Sequence, residues 1–289
     1  SGPLPPQPGR AGKSARVNIS KARRAAAGSD GREVIARTLA HGAQPWVAVL
    51  PPEVHARGMT TQTEFDGKQV VVTGGTGALG RSVVGALLAK GARVYIPVMN
   101  ARELDGFPFL EQVTTQQGVD LRNDQSCATF YGGLEGALYA SIHLAGGFSM
   151  APFTDTSMAD YEKLVGLNVT TCFLSCREAL KRMTGEGRIV NVAAKPALVP
   201  TGGLVAYAAT KAAVAGLTLA LAEEVSSRGI WVNAVVPSIM NTPANVASMP
   251  DADHSAWPTT DDVAATITFL ASPQNRVTRG ALVPVYGRS

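Results

Sequence analysis

From residue 68 onward the chain alternates short, continuously apolar, β-branched runs with longer stretches whose apolar positions recur at helical spacing. QVVVT (69–73), ARVYIP (92–97), ALYASIHLAG (137–146), RIVNVAA (188–194), IWVNAVVP (230–237) and ALVPVYG (281–287) read as strands, with a weaker one near 113–119. Helical spacing occupies the stretches near 79–90, 123–135, 157–182, 207–227 and 261–271. Strands that are apolar on both faces and separated by helices predict a parallel sheet covered on each side, hence a single doubly wound Rossmann domain of the α/β class. No internal repeat interrupts the pattern.

The pattern is absent before that point. Residues 1–30 are rich in Pro, Gly, Ala and Arg and carry no apolar period, so disorder is expected. REVIARTLAH predicts a short helix and WVAVLPP an extended piece, neither with enough apolar surface for a core of its own. Met59 then opens what reads as a natural start, which divides the chain into a basic extension over 1–58 and a domain over 59–289. The extension reads as a docking arm or as sequence upstream of the domain; an Arg-rich, acid-poor targeting peptide for an organelle is the competing reading.

Charge follows the same division. The formal net charge is +4, yet residues 1–58 hold nine Lys or Arg against three Asp or Glu, and the remainder holds seventeen against nineteen. The basicity belongs to the extension, and the domain has no charge-based claim on nucleic acid. Hydrophobic residues make up 45% of the chain, and the longest apolar stretch, after Lys211, is broken by Gly216, Thr218 and Glu223, so no membrane span is expected. Cys127, Cys172 and Cys176 are an odd number without metal-ligand spacing, which predicts reduced packing thiols, a cytoplasmic setting and no bound metal.

The first strand runs into TGGTGALG, residues 73–80, and then into a helix. A strand, a glycine turn and a helix N-terminus together form an anion site suited to a dinucleotide pyrophosphate. Gly74 would permit the tight turn, Gly77 a close approach of backbone N–H groups, and Gly80 close packing of helix on sheet; Thr76, Ala78 and Leu79 belong to the same turn. An acidic residue commonly ends the second strand and binds the adenosine ribose, which favours NAD. Here Val98 and Met99 stand there, with no carboxylate to repel a 2′-phosphate, followed by Asn100 and Arg102. Arg102 would favour NADP, although a solvated arginine at a helix start is the more ordinary reading, so the choice between NAD and NADP is open. Asp120 and Leu121 after the third strand, and Ala145, Gly146 and Gly147 after the fourth, would line the adenine and nicotinamide ends. His143, inside the fourth strand, reads as a buried, hydrogen-bonded imidazole.

Tyr207 and Lys211 lie one helical turn apart on one helix face. A phenol near its usual pKa of about 10 is a poor acid–base group at neutral pH, and a neighbouring ammonium would bring it into range. Tyr207 could then exchange a proton while a nicotinamide exchanges hydride.

With TGGTGALG, LAGG, Asn168 in LVGLNVTT, YAATK, and VPSIMNTP after the sixth strand, residues 66–289 resemble the short-chain dehydrogenase/reductases. That resemblance implies a seven-stranded sheet, a nicotinamide cofactor also touched by Pro237, Ile239 and Thr242, and Tyr207, Lys211 and Asn168 as the catalytic set, Asn168 helping to hold a proton-relay water beside Lys211. It further implies a small-molecule substrate and homodimers or homotetramers built on the helices that carry Asn168 and Tyr207. Two positions depart from the family pattern: Ala78 replaces a glycine, and Ala194 stands where the family carries a serine. Without that hydroxyl, a ketone substrate loses a hydrogen bond worth roughly 1.5–3 kcal/mol.

A branch of the same family, the dihydropteridine reductases, is similar in GGTGALG, LAGGF, NVAAKPAL and NTPANVASMPDADHSAW. The branch keeps the tyrosine and lysine without the serine, and its substrate is a conjugated ring system. The narrower resemblance implies an NAD(P)H-dependent reductase of a quinonoid or pterin-like substrate, with Phe148, Ala194 and Trp257 lining its site, Met249 and Trp257 in a lid, and Asn241 and Thr242 near the nicotinamide amide. Trp257 reads equally as a packing anchor. An ordinary carbonyl reductase and a catalytically silent nucleotide-binding regulator are the alternatives.

Overall fold

A computed structural model describes residues 63–289. The expectations about residues 1–58, and about a start at Met59, lie outside the described residues. Seven strands form one sheet: β1 (Gln69–Thr73), β2 (Arg93–Pro97), β3 (Thr114–Gln116), β4 (Ala140–His143), β5 (Gly187–Val192), β6 (Ile230–Pro237) and β7 (Leu282–Val285). Their spatial order is β3-β2-β1-β4-β5-β6-β7, and every neighbouring pair is parallel. The order reverses between β1 and β4, which is where a doubly wound sheet opens a crevice at its carboxyl edge.

Helices α1 (Ala78–Ala89) and α7 (Thr260–Ala271) cover one face. Helices α2 (Asp124–Gly132), α4 (Thr171–Arg182) and α5 (Val205–Glu224) cover the other. Strand alternation explains why the apolar runs are continuous: Val70 and Val72 join the α1/α7 core, and Val71 between them joins the α2/α4/α5 core. Two shorter helices, α3 (Met158–Leu164) and α6 (Pro243–Ser248), complete the α-helical set among the described residues.

The stretch expected as one helix over 157–182 is instead α3, a π-helical turn at Val165–Thr170, and α4. Thr171 Oγ1 donates to Leu167 O at 2.7 Å within this irregular turn. The widened turn carries Asn168, consistent with the tendency of π-bulges to sit at functional sites. Helix α5 is long and apolar enough by length and composition to cross a membrane. Its Thr210, Lys211, Val214 and Thr218 are buried in the domain, as in a core helix.

Candidate active site

Two cavities meet at the carboxyl edge of the sheet. The first, about 650 Å³, is lined by Gly74, Thr76, Gly77, Met99, Asp120 and Leu121 among others. The second, about 270 Å³, is lined by Phe148, Ala194, Tyr207, Lys211, Pro237 and Met240 among others. Both include Leu144 and Gly146, so they adjoin between the glycine turn and the tyrosine.

The glycine turn is packed as a phosphate cradle requires. Gly74 has φ of +67°, and a Cβ there would stand 2.8 Å from Ala145 N. A Cβ on Gly80 would meet Gly74 O at 2.2 Å, so only glycine lets α1 lie this close to the turn. Gly77 is the N-cap of α1 and offers no side chain to the first-turn N–H groups, and no acidic residue occupies that turn. Those donors and the helix dipole suit an anion.

At the outer end of the first cavity Asp120 does not stand alone. Arg122 Nε and Nη2 donate to its two carboxylate oxygens, each at 2.9 Å, and the guanidinium holds the carboxyl below its ordinary range. Asn100 caps a short 3₁₀ helix, Ala101–Leu104, by accepting from Arg102 N. In the same capping box Glu103 Oε1 accepts from Met99 N at 2.8 Å and Asn100 N at 3.2 Å. Glu103 lines the cleft, which corrects the expectation that no carboxylate stands near the end of the second strand. The sequence signal was the Asn-x-x-Glu spacing of a capping box rather than the strand-end position.

Around Tyr207 the site is built from side chains. Phe148 packs edge-on against the Tyr207 ring with centroids 5.0 Å apart. Lys211 Nζ donates to Val192 O at 2.9 Å and lies 5.9 Å from the Tyr207 ring centroid. Burial pushes the Tyr207 phenol up to about 12, and burial brings the Lys211 ammonium down to about 8. The expected lowering of the phenol by Lys211 is therefore outweighed here: loss of hydration dominates, and the ammonium is committed to a backbone carbonyl.

Asn168 ties the parts together. Its Nδ2 donates to Gly147 O at 3.1 Å and to Thr210 Oγ1 at 3.0 Å, and its Oδ1 accepts from Gly147 N at 2.8 Å. Thr210 Oγ1 in turn donates to Tyr207 O at 2.8 Å. A Cβ added to Gly146 would lie 2.7 Å from Asn168 Oδ1 and 3.6 Å from Lys211 Nζ, so the two side chains approach each other across that glycine.

Other anticipated residues lie outside the cleft lining. Thr242 caps α6 by accepting from Asn245 N, and Ile239 is half-buried beyond Ser238. Trp257 is buried and packs edge-on against His254 at 4.6 Å, a packing anchor in this structure. His143 is buried, with Nε2 bonded to Ser141 Oγ and Nδ1 to Asn191 Oδ1, both at 2.8 Å. The three cysteines are free and buried. Cys172 and Cys176 nevertheless converge with His143, their ligand-type atoms all within 4.8 Å, a grouping hidden in the sequence because it joins a strand to a helix.

Comparison with known proteins agrees with this layout. The family model described as short chain dehydrogenase matches residues 68–253. A D-threitol dehydrogenase of Mycolicibacterium smegmatis is 29% identical over 249 residues, covering 77% of this chain and 93% of that protein. A short-chain type dehydrogenase/reductase from Mycobacterium ulcerans has a similar solved structure, with a TM-score of 0.73 and 26% identity over 78% of this chain and 90% of that one. The structure of ElxO with NADP bound matches with a TM-score of 0.72 and 26% identity, covering 76% of this chain and 98% of ElxO.

Proposed function

The chain belongs to the short-chain dehydrogenase family, and from that premise we propose that it reduces a planar, conjugated substrate of quinonoid or pterin-like type, with Tyr207 as proton donor. Family membership makes it an NAD(P)-dependent oxidoreductase of a small molecule. When bound, the reduced nicotinamide supplies the hydride. Gly74, Gly77 and the first-turn N–H groups of α1 would hold the pyrophosphate, and Ala145 and Gly146 would admit the remainder along the cleft.

Tyr207 holds its proton at neutral pH, as a donor in the reductive direction must, although burial leaves the nucleotide-free phenol a weaker acid than usual. Giving up that proton leaves a phenolate, and the Lys211 ammonium, held by Val192 O, offsets the new charge. Asn168 braces the backbone beside the site, through Gly147 on one side and through Thr210 to the Tyr207 carbonyl on the other.

One observation carries the substrate reading: among the described residues, the side chains lining the cavity beside Tyr207 offer almost no second donor. Of its lining residues only Tyr207, Lys211 and Ser238 have polar side-chain ends, and Ser238 Oγ already donates to Tyr286 O at 2.9 Å. Ala194 presents a methyl group where a ketone would need a hydroxyl. A conjugated ring, flat against Phe148 and Met240 and polarised along its length, depends less on a second point of activation. Exposed Phe173 on α4 and Leu219 on α5 support assembly through those helices as a homodimer or homotetramer.

The test is turnover of a quinonoid dihydropterin and of a simple ketone by the wild-type chain and by Ala194→Ser. The proposal expects the dihydropterin rate to change less than about threefold. The similarity to a D-threitol dehydrogenase favours a second reading, an ordinary alcohol or carbonyl substrate. Under that reading the serine raises ketone turnover by about tenfold or more, and the dihydropterin is not a substrate.

A further inference from the structure

Glu103 stands on the wall of the first cavity, in the 3₁₀ turn that follows β2, and its carboxylate covers two backbone donors just past that strand's end. One oxygen accepts from both Met99 N (2.8 Å) and Asn100 N (3.2 Å). The cation opposite is spoken for, since Arg122 is paired to both oxygens of Asp120. Arg102, on the same turn as Glu103, is exposed, and its guanidinium makes no hydrogen bond among the described residues.

This is the part of a doubly wound sheet where the adenosine ribose of a dinucleotide lies, because the pyrophosphate sits at the glycine turn one strand away. A ribose 2′-hydroxyl can donate to a carboxylate. A 2′-phosphate carries up to two negative charges and seeks N–H donors and unpaired arginines. Here it would meet a negative charge lying on the donors it needs. The usual position for such a carboxylate, the strand end itself, holds buried Val98.

We propose that Glu103 is the residue that selects NADH over NADPH in this enzyme, acting from the capping position in place of the strand end. The proposal rests on the reading that the glycine turn holds the dinucleotide. It reverses the alternative in which Arg102 draws in a 2′-phosphate.

Dissociation constants for NADH and NADPH, read from nicotinamide fluorescence, test it without knowledge of the substrate. The wild-type chain should bind NADH at least about tenfold more tightly, the size expected of one unit charge at a partly exposed site. Glu103→Gln keeps an oxygen for Met99 N and Asn100 N and removes only the charge, so it should narrow the ratio about tenfold, chiefly by tightening NADPH. Arg102→Ala should leave the ratio within about twofold. Equal binding of the two nucleotides by the wild type, an unchanged ratio in Glu103→Gln, or a wild-type preference for NADPH that Arg102→Ala abolishes would each overturn the assignment. If the wild type binds neither nucleotide, the glycine-turn reading fails and this one falls with it; that outcome is distinct from binding without discrimination.

Discussion

Around the glycine turn the cleft is walled by backbone, whereas around Tyr207 it is walled by side chains. At the first end the critical spacings are between main-chain atoms: an added Cβ would lie 2.8 Å from Ala145 N at Gly74 and 2.2 Å from Gly74 O at Gly80. At the second end the groups that matter are a phenol, an ammonium, a phenyl ring and a methyl, each on an ordinary backbone. Ala194 itself has φ of −163°, extended geometry open to any residue. Backbone walls admit almost no substitution, so that end keeps one task. Side-chain walls can lose a hydroxyl without disturbing the fold, so that end can change substrate.

The contrast is broken most severely by removing the phenolic hydroxyl. Tyr207→Phe leaves the Phe148 ring contact and the backbone bond to Thr210 in place and removes only the hydroxyl. Turnover should fall about 10²–10⁴-fold, the usual contribution of a positioned acid–base group. NADH affinity, measured by nicotinamide fluorescence, should stay within about threefold. A matching loss of affinity would mean that this end too is organised for binding rather than for proton transfer.

A methyl group at the other end tests the backbone wall. Gly80→Ala drives a Cβ into a carbonyl that cannot rotate away, and should cost about 2 kcal/mol or more of stability together with nucleotide affinity. The control is Gly216→Ala within α5, where an added Cβ meets nothing within 4 Å. That change should stabilise by about 0.5–1 kcal/mol through helix propensity. Denaturant midpoints of the two variants against the wild type measure the difference; equal midpoints would show that the turn relaxes.

The two ends also differ in how far they could be read from residues alone. The glycine turn was legible because strand, turn and helix follow one another within a short stretch, and geometry there depends on glycine itself. The apolar runs placed six strands within a few residues; β3 was faint because its Thr114–Gln116 stretch is polar and lies at the sheet edge. The π-turn around Asn168 leaves no mark, since shifting one hydrogen-bond register does not alter which residues are apolar. Glu103 was hidden for a different reason: its charge acts through a capping box, in the 3₁₀ turn beyond the strand end where a ribose-binding carboxylate is expected. The direction of the Tyr207 shift depends on burial by distant segments, which a four-residue spacing to Lys211 does not contain.

Burial of Lys211 gives an effect with a definite sign. Its pKa is about 8 in the folded chain, below the value of about 10.4 expected when unfolded. Below pH 8 both states hold the proton, and the native state bears the full desolvation cost of the ammonium. Between about 8 and 10.4 the unfolded chain binds more protons than the native one, so this residue's contribution to stability rises with pH across that window. Lys211→Met removes the buried charge and with it that slope. The variant also loses the bond to Val192 O, an offset that does not titrate. The expected result, measured on nucleotide-free protein, is a stability difference between variant and wild type that is constant from pH 6 to 7.5 and then drifts in favour of the wild type as pH rises toward 10. A drift of opposite sign would mean that Lys211 is stabilised as a cation in the folded chain, with the neighbouring Cys172 thiolate as its partner. The side-chain end of the cleft would then be held by an ion pair rather than by burial.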